Sequence, residues 1–320
     1  MHGIHIPVEN DGVNAYCPPS VCPNGFAGLP SAPPNAAFGT VNQYLSAGVA
    51  NYNGITISLQ RRLSAGMSFN LNYTFSKALD VTSNGGVQPF GPGGLVTNPS
   101  ILQPQDPNNI KGNYGPADYD VRHYFSATLL VTDMFRHARF KRGPNRVFGG
   151  WTLSTNWFLR SGLPFTVIDG AATSALGGYN YAPGAAIFAT PTTNLPKSCL
   201  DAVNTPSLST AQLAPSQAVT GSLSGFGMMG RNSIYGPRFF DVDMALMKDV
   251  AITEHVTFSF GAQAYNLFNH PNFDQPMADI SNPQFGTSIS NVSPPTSILG
   301  SFVGAGASPR FLEIRGIVRF

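Results

Sequence analysis

The stretch Ile55-Thr-Ile-Ser-Leu-Gln-Arg-Arg-Leu-Ser-Ala-Gly-Met-Ser-Phe-Asn-Leu-Asn-Tyr-Thr-Phe-Ser76 holds two runs of strict alternation around Leu63-Ser-Ala-Gly66. Successive side chains of a strand point to opposite faces, so Ile55, Ile57, Leu59, Met67, Phe69, Leu71, Tyr73 and Phe75 share one apolar surface. Thr56, Ser58, Gln60, Ser68, Asn70, Asn72, Thr74 and Ser76 form the other. A short turn with Ser64 and Gly66 closes the pair as a hairpin.

Five further segments follow the same rule. In 123–132, Phe125, Ala127, Leu129 and Val131 oppose Tyr124, Ser126, Thr128 and Leu130. Over 151–162, Trp151, Leu153, Thr155, Trp157 and Leu159 oppose Thr152, Ser154, Asn156, Phe158 and Arg160. Val242, Met244 and Leu246 oppose Asp241, Asp243, Ala245 and Met247, and Val256, Phe258 and Phe260 oppose Thr257, Ser259 and Gly261. The last strand, 310–320, sets Leu312, Ile314, Gly316, Val318 and Phe320 against Phe311, Glu313, Arg315, Ile317 and Arg319. The connections read as short on one side of this array and long on the other. The long ones, such as 85–94 and 207–230, are rich in Gly, Pro, Asn and Ser without a helical period, so surface loops are expected.

Only 11% of the 320 residues are charged, under half the roughly 25% usual in soluble domains. No apolar run is long enough for a spanning helix, so a membrane location requires a barrel. Loops sorted by length suit an up-and-down outer-membrane barrel, whose turns are short on one side and long on the other. Ten residues at about 3.3 Å, tilted about 40°, span roughly 25 Å, the height of the apolar band in such barrels. The expected fold is therefore all-β: an antiparallel up-and-down transmembrane β-barrel, here a partial barrel of about seven or eight strands with long extracellular loops. On this reading the apolar set from Ile55 to Val318 faces outer-membrane lipid, while Asn70, Asn72, Asn156, Arg160, Asp241, Asp243, Glu313 and Arg315 face the lumen. The 42% of hydrophobic residues would equally suit a secreted, soluble all-β adhesion or glycan-binding module with those faces turned into a dry core.

A net charge of +2 without a Lys/Arg stripe argues against nucleic acid as a partner. The opening Met-His-Gly-Ile-His-Ile-Pro carries no basic segment followed by an apolar core, so the expectation is an exported protein truncated ahead of this start. Cys17 and Cys22 flank Pro-Pro-Ser-Val; a small disulfide-closed loop leads, ahead of two free thiols and, last, a zinc site, and Cys199 is left over. Asp118, Asp120 and Arg122 fall on the face opposite His123, so they read as a loop-to-strand junction whose side chains do not converge on one point. Asp241 and Asp243 read as hydrophilic lining. The basic turn with Arg136, Arg139, Lys141, Arg142 and Arg146 reads as a solvated turn before a lipid-headgroup contact. With no nucleophile elbow, zinc-protease helix or phosphate loop, the chain is read as no enzyme, without metal or other cofactor.

Several stretches resemble the C-terminal barrel of TonB-dependent receptors, especially the Oar-like group that carries an N-terminal carboxypeptidase-regulatory-like domain. They are Asn51-Tyr-Asn-Gly-Ile-Thr-Ile-Ser-Leu-Gln-Arg-Arg62, Phe69-Asn-Leu-Asn-Tyr-Thr-Phe-Ser-Lys-Ala-Leu-Asp80, Asp118-Tyr-Asp-Val-Arg-His-Tyr-Phe125, Ala264-Tyr-Asn-Leu-Phe-Asn-His-Pro-Asn-Phe273 and the strand closing on Phe320. The resemblance implies an outer-membrane transporter of about 22 strands, plugged by an N-terminal domain and energised through the TonB complex. It also makes Phe320 a candidate signal for the barrel-assembly machinery. Plug and TonB contact have no counterpart in the chain, so the TonB complex is expected as a partner only through that missing region. Residues 1–52 are assigned to an N-terminal loop region, with a possible short strand at 38–45, and 53–320 to the barrel segment. A self-contained eight-strand barrel is the further alternative; it requires 38–45 to pair with the terminal strand.

Overall fold

The computed structural model describes residues 2–83, 103–133, 145–177, 185–197, 208–221, 223–289, 291 and 309–320. The strands are β1 (His2–Asn10), β2 (Gln43–Ser64), β3 (Met67–Asp80), β4 (Gly115–Pro116), β5 (His123–Thr132), β6 (Trp151–Arg160), β7 (Pro164–Phe165), β8 (Ile234–Tyr235), β9 (Phe239–Ala251), β10 (Thr257–Tyr265) and β11 (Phe311–Arg319). One antiparallel sheet takes the order β1-β2-β3-β5-β6-β9-β10-β11, with β4 added beside β3. Apart from short β4, β7 and β8, sequence neighbours are sheet neighbours, which is the meander expected from the alternating segments.

Between these long strands the connections are 65–66, 133–150 and 252–256 at one end of the sheet, and 11–42, 81–122, 161–238 and 266–310 at the other. The tightest is the β2–β3 turn, where Ala65 and Gly66 both have positive φ, +48° and +76°. Two left-handed residues make the type of two-residue turn whose twist matches that of the flanking strands, and Gly66 takes that conformation without strain.

Several expectations are corrected. The region ahead of residue 53 is not loop with one short strand: it holds β1 and the first residues of β2, with Val8 paired to Leu45 and Asn10 to Gln43. The 38–45 segment contributes only the start of β2, and it pairs with β1, not with β11, so the eight-strand closure does not form. At 22 residues β2 is about 70 Å long, well beyond a single bilayer crossing. Its upper part therefore stands above the rest of the wall as the partner of β1. The barrel is not closed: β1 and β11 are the sheet's two edges.

The long connections were expected as loops without helix, yet they pack. Gly170–Gly177 is a helix, with Asp169 accepting from the Ala172 N–H at 3.0 Å and its carboxylate also holding Ser216 and the Gln217 N–H. Two buried apolar clusters among the described residues lie here and not behind the sheet. One gathers Phe165, Val167, Phe188, Leu208, Ile234 and Phe285; the other gathers Cys17, Cys22, Phe26, Leu176, Ile187 and Leu223. Cys17 and Cys22 are joined in a disulfide, their Cα atoms 5.9 Å apart. The expected surface loops thus form a cap with its own interior, over one end of the wall. The 85–94 run, Arg136, Arg139, Lys141, Arg142 and Cys199 lie outside the described residues, and Arg146 lies at the start of a short helical turn.

Ala65 holds a left-handed conformation that disfavours a Cβ by about 1 kcal/mol. Ala65→Asn, with a side chain that tolerates it, is expected to raise the resistance of the folded sheet to urea by about that amount, read as a shifted unfolding midpoint.

Candidate functional site

The sheet has two chemically distinct faces, and its register decides which residues share each. Across one rung lie Phe69, Leu129, Thr155, Met244, Ala264 and Leu312. Its neighbours run Leu59, Leu71, Ala127, Trp157 and Val242, and Ile57, Tyr73, Phe125, Leu159 and Phe240. Ile55 stands opposite Phe75, Leu153 opposite Leu246, and Ile314 opposite Ala262, while Phe258 stands opposite Val318. All the residues assigned from the sequence to the apolar face are therefore on one side. This side is a contiguous exposed apolar surface of the kind that marks a membrane or partner contact: Ile57 is 60% exposed, Leu59 56% and Ile314 90%. Phe69, Leu71, Met244 and Phe258 are half-buried by their lateral neighbours, and no second layer of described residues packs on them: neither apolar cluster includes a residue of this face.

Val242 departs from this pattern, being buried on the apolar face. After β10 the chain turns at Asn266 and Asn269, both of positive φ, and the Leu267 N–H donates to the Val242 carbonyl at 2.8 Å. Phe268 then lies against Trp157 and Phe240, the residues flanking Val242, at 6.5 and 5.7 Å between ring centroids.

On β6 the apolar positions run from Trp151 to Leu159, about 27 Å along the strand and about 20 Å in height at a tilt of about 40°. The end near the short turns carries a Lys–Trp pair: Lys248 is opposite Trp151, its Nζ lies 5.6 Å from the indole ring centroid, and it donates to the Gly149 carbonyl. At the other end the Tyr73 hydroxyl and His123 Nδ1 are 2.8 Å apart, with Phe75 beside the imidazole. Aromatic and amphipathic side chains thus border the apolar face at both ends, the arrangement that suits a wet boundary.

The opposite face carries every residue assigned to a lumen. Asn70, Thr128, Asn156 and Asp243 form one rung, and Asn72, Ser126, Phe158 and Asp241 the next. Glu313 pairs with Gln263, and Arg315 with Gly261. Thr56 and Thr74 bridge across strands at 2.9 Å. Asp243 accepts from the Asn266 N–H, whereas Asp241 Oδ1 is buried without a hydrogen-bond partner among the described residues. Towards the cap this face turns aromatic: Phe158 packs edge-on against Tyr124 and Phe239, and the Arg160 guanidinium lies over the Phe239 ring at 5.5 Å.

Between wall and cap sits a network that local sequence pattern could not reveal. Arg231, fully buried, bonds both the carboxylate and the carbonyl of Asp80, the Asp118 carboxylate at 3.2 Å and the Asn113 carbonyl at 3.0 Å. Asn232 adds a 2.6 Å bond to Asp118. Asp120, fully buried as well, accepts from the Ala78 N–H, from the Tyr235 hydroxyl at 2.7 Å and from Arg122 at 3.0 Å. The acidic residues before β5 were expected not to converge on one point, and they enter two separate groupings, Asp118 with Arg231 and Asn232 and Asp120 with Tyr235 and Arg122. What the sequence did not show is that Arg231 and Tyr235 reach them from the far connection, because strand alternation says nothing about partners supplied from another part of the chain. The one signal available was Arg231 itself, the first charge after the uncharged run 202–230.

A family described as outer membrane beta barrel domain matches residues 1–298. The chain belongs to that family, and it is a bacterial outer-membrane protein whose antiparallel sheet is a transmembrane barrel wall. No curated protein and no solved structure matches it.

Removing the Arg231 side chain strands Asp80 and Asp118 in the cap, a loss of about 3–5 kcal/mol for a broken buried pair. Arg231→Ala should open the described part of 161–238 to limited proteolysis while the strands stay protected. Burial, and then the bond to Asp120, pushes the Tyr235 hydroxyl from 10.0 up to about 12. A raised folded value means that the stabilisation is complete below the unfolded value and is lost as pH climbs through the folded one. The cap should therefore loosen between about pH 10 and 12, and Tyr235→Phe should remove that component of the alkaline transition.

Proposed function

We propose that this chain is the C-terminal barrel portion of a TonB-dependent outer-membrane receptor, and that the intact receptor imports a solute through a plugged barrel. The observation that carries the reading is the sheet itself: two-faced throughout, and open at both edges. Below Asn51, β2 has no partner on the side away from β3 among the described residues, and β11 has none on the side away from β10. Several N–H and C=O groups per edge in hydrocarbon would cost on the order of tens of kcal/mol. An open wall sector in a bilayer therefore calls for further strands, and the receptor barrels that the sequence resembles supply them.

In this reading the apolar set from Ile55 to Val318 contacts lipid, and Asn70, Asn72, Asn156, Arg160, Asp241, Asp243, Glu313 and Arg315 line the interior. Phe320, 97% exposed beyond β11, serves as the signal taken up by the barrel-assembly machinery. Contact with the TonB complex belongs to a plug region outside this chain, and the wall performs no catalysis. A soluble secreted adhesion module is not favoured, since the chain belongs to an outer-membrane family and no second layer of described residues buries its apolar face.

Two measurements test this. Phe69→Arg and Leu71→Arg should each destabilise the membrane-inserted protein by about 2–4 kcal/mol, and Asn70→Arg by far less; equal tolerance at the three positions overturns the assignment of faces. Protein extracted with its native barrel partners and placed in a planar bilayer should show no steady ion conductance, because a plugged receptor is shut at rest. A large constant conductance would replace the receptor by a passive pore.

A further inference from the structure

At the upper margin of the wall, where β5 begins and β6 ends beneath the cap, lies a cavity of about 800 Å³. Its floor is one rung of the ladder, Phe125 opposite Leu159 and Leu159 opposite Phe240. Its upper rim is cationic: Arg122, Arg160, Lys197 and Arg238, with His123 and His270 between them, and no carboxylate among the described lining residues. Lys197 and Arg238 are exposed and enter none of the ion pairs formed among the described residues. The Nδ1 atom of His270 is buried with no hydrogen-bond partner there, its ring held edge-on to Phe240 at 5.5 Å. His123, whose Nδ1 lies 2.8 Å from the Tyr73 hydroxyl, also lines the cavity.

We propose that this cavity holds the phosphate headgroup of a membrane lipid of net negative charge, with an acyl chain lying along Phe125, Leu159 and Phe240. Two features select that occupant together. The rim offers several hydrogen-bond donors of positive charge from different directions, which suits the oxygens of a phosphate. The floor belongs to the face assigned above to lipid, so an ion without a chain would satisfy the rim and leave the floor uncovered. The lining also takes in Arg160 and Phe239 from the face assigned to the lumen, so the cavity lies at the upper margin of the wall, with its floor on the apolar side. The inference rests on the assignment of the apolar face to lipid under the proposed function.

The test uses protein extracted from outer membranes in mild detergent, with bound lipid counted by native mass spectrometry during titration with phosphatidylglycerol, phosphatidylcholine or inorganic phosphate. One phosphatidylglycerol per chain should be retained in preference to phosphatidylcholine, and inorganic phosphate should not displace it. Lys197→Ala combined with Arg238→Ala removes two exposed charges that form no ion pair among the described residues and should weaken retention about thirty-fold. The wild-type pattern of cap proteolysis in that variant shows that the site, and not the fold, was altered. Undiminished retention by the double variant, or equal retention of both lipids, overturns the headgroup site; displacement by inorganic phosphate makes it a free-anion site instead. The arginine series at Phe69, Asn70 and Leu71 separates the two failures. If Phe69→Arg and Leu71→Arg destabilise but the charge-deleted variant still binds phosphatidylglycerol, only the headgroup site falls; if both arginines are tolerated, the lipid-facing wall falls with it.

Discussion

Backbone hydrogen bonding in hydrocarbon is the constraint on which this structure depends. A peptide group there has no water to fall back on, so each strand must lie between two others. The interior strands β3, β5, β6, β9 and β10 satisfy that requirement over their ladders, in simple antiparallel order. That demand also explains the plainness of the wall. Side chains contribute by keeping to their own face, and little packing specificity is needed where the surroundings are lipid on one side and water on the other. Unmatched edges at β2 and β11 are the point at which the requirement is still open, and the proposed receptor barrel answers it.

The interior that a soluble protein would place behind its sheet is here built above it. Apolar residues from 11–42, 161–238 and 266–310 are gathered into two clusters, one of them tied by the Cys17–Cys22 disulfide. Low overall charge follows from this division of labour. The wall spends its apolar residues outward, while the cap buries its own, and few positions remain where a charge is useful. Where charges do occur together, as with Arg231, Asp80 and Asp118, they are paired, with Arg231 and Asp80 buried, and they join connections distant in the chain.

Strand alternation made the wall legible from the sequence, since a period of two fixes both face and register parity. The segments around Ile55–Ser76, Trp151–Arg160 and Phe311–Arg319 all lie as the alternation required. β1 escaped because His2–Asn10 contains Pro7 and bulged pairing around Ile6, which break the period. The first part of β2 escaped for a similar reason, with Gly48 and Ala50 giving a weak apolar signal. The cap was illegible for a deeper reason. Its compactness comes from contacts between segments far apart, such as Gln105 with Phe188 and Asn10 with Pro107, and short Gly- and Pro-rich stretches look the same locally whether they pack or not. Val242 shows the same limit on a smaller scale: its face was readable, and the turn that covers it was not.

The reach of Arg231 has a consequence for biogenesis. Its bond to the Asp80 carbonyl joins residues 151 apart in the chain, and Asp118 is 113 away, so this knot cannot be tied until the polypeptide has been delivered almost as far as β9. Loop closure over such distances is slow compared with the growth of neighbouring hairpins. The palisade would then be raised stave by stave, with its canopy gathered only near the end. Until that moment Asp80 and Asp118 would stand open and charged on a half-finished rim, hydrated and easily kept out of the bilayer, which gives the nascent chain a reason to hold its exterior end on the watery side.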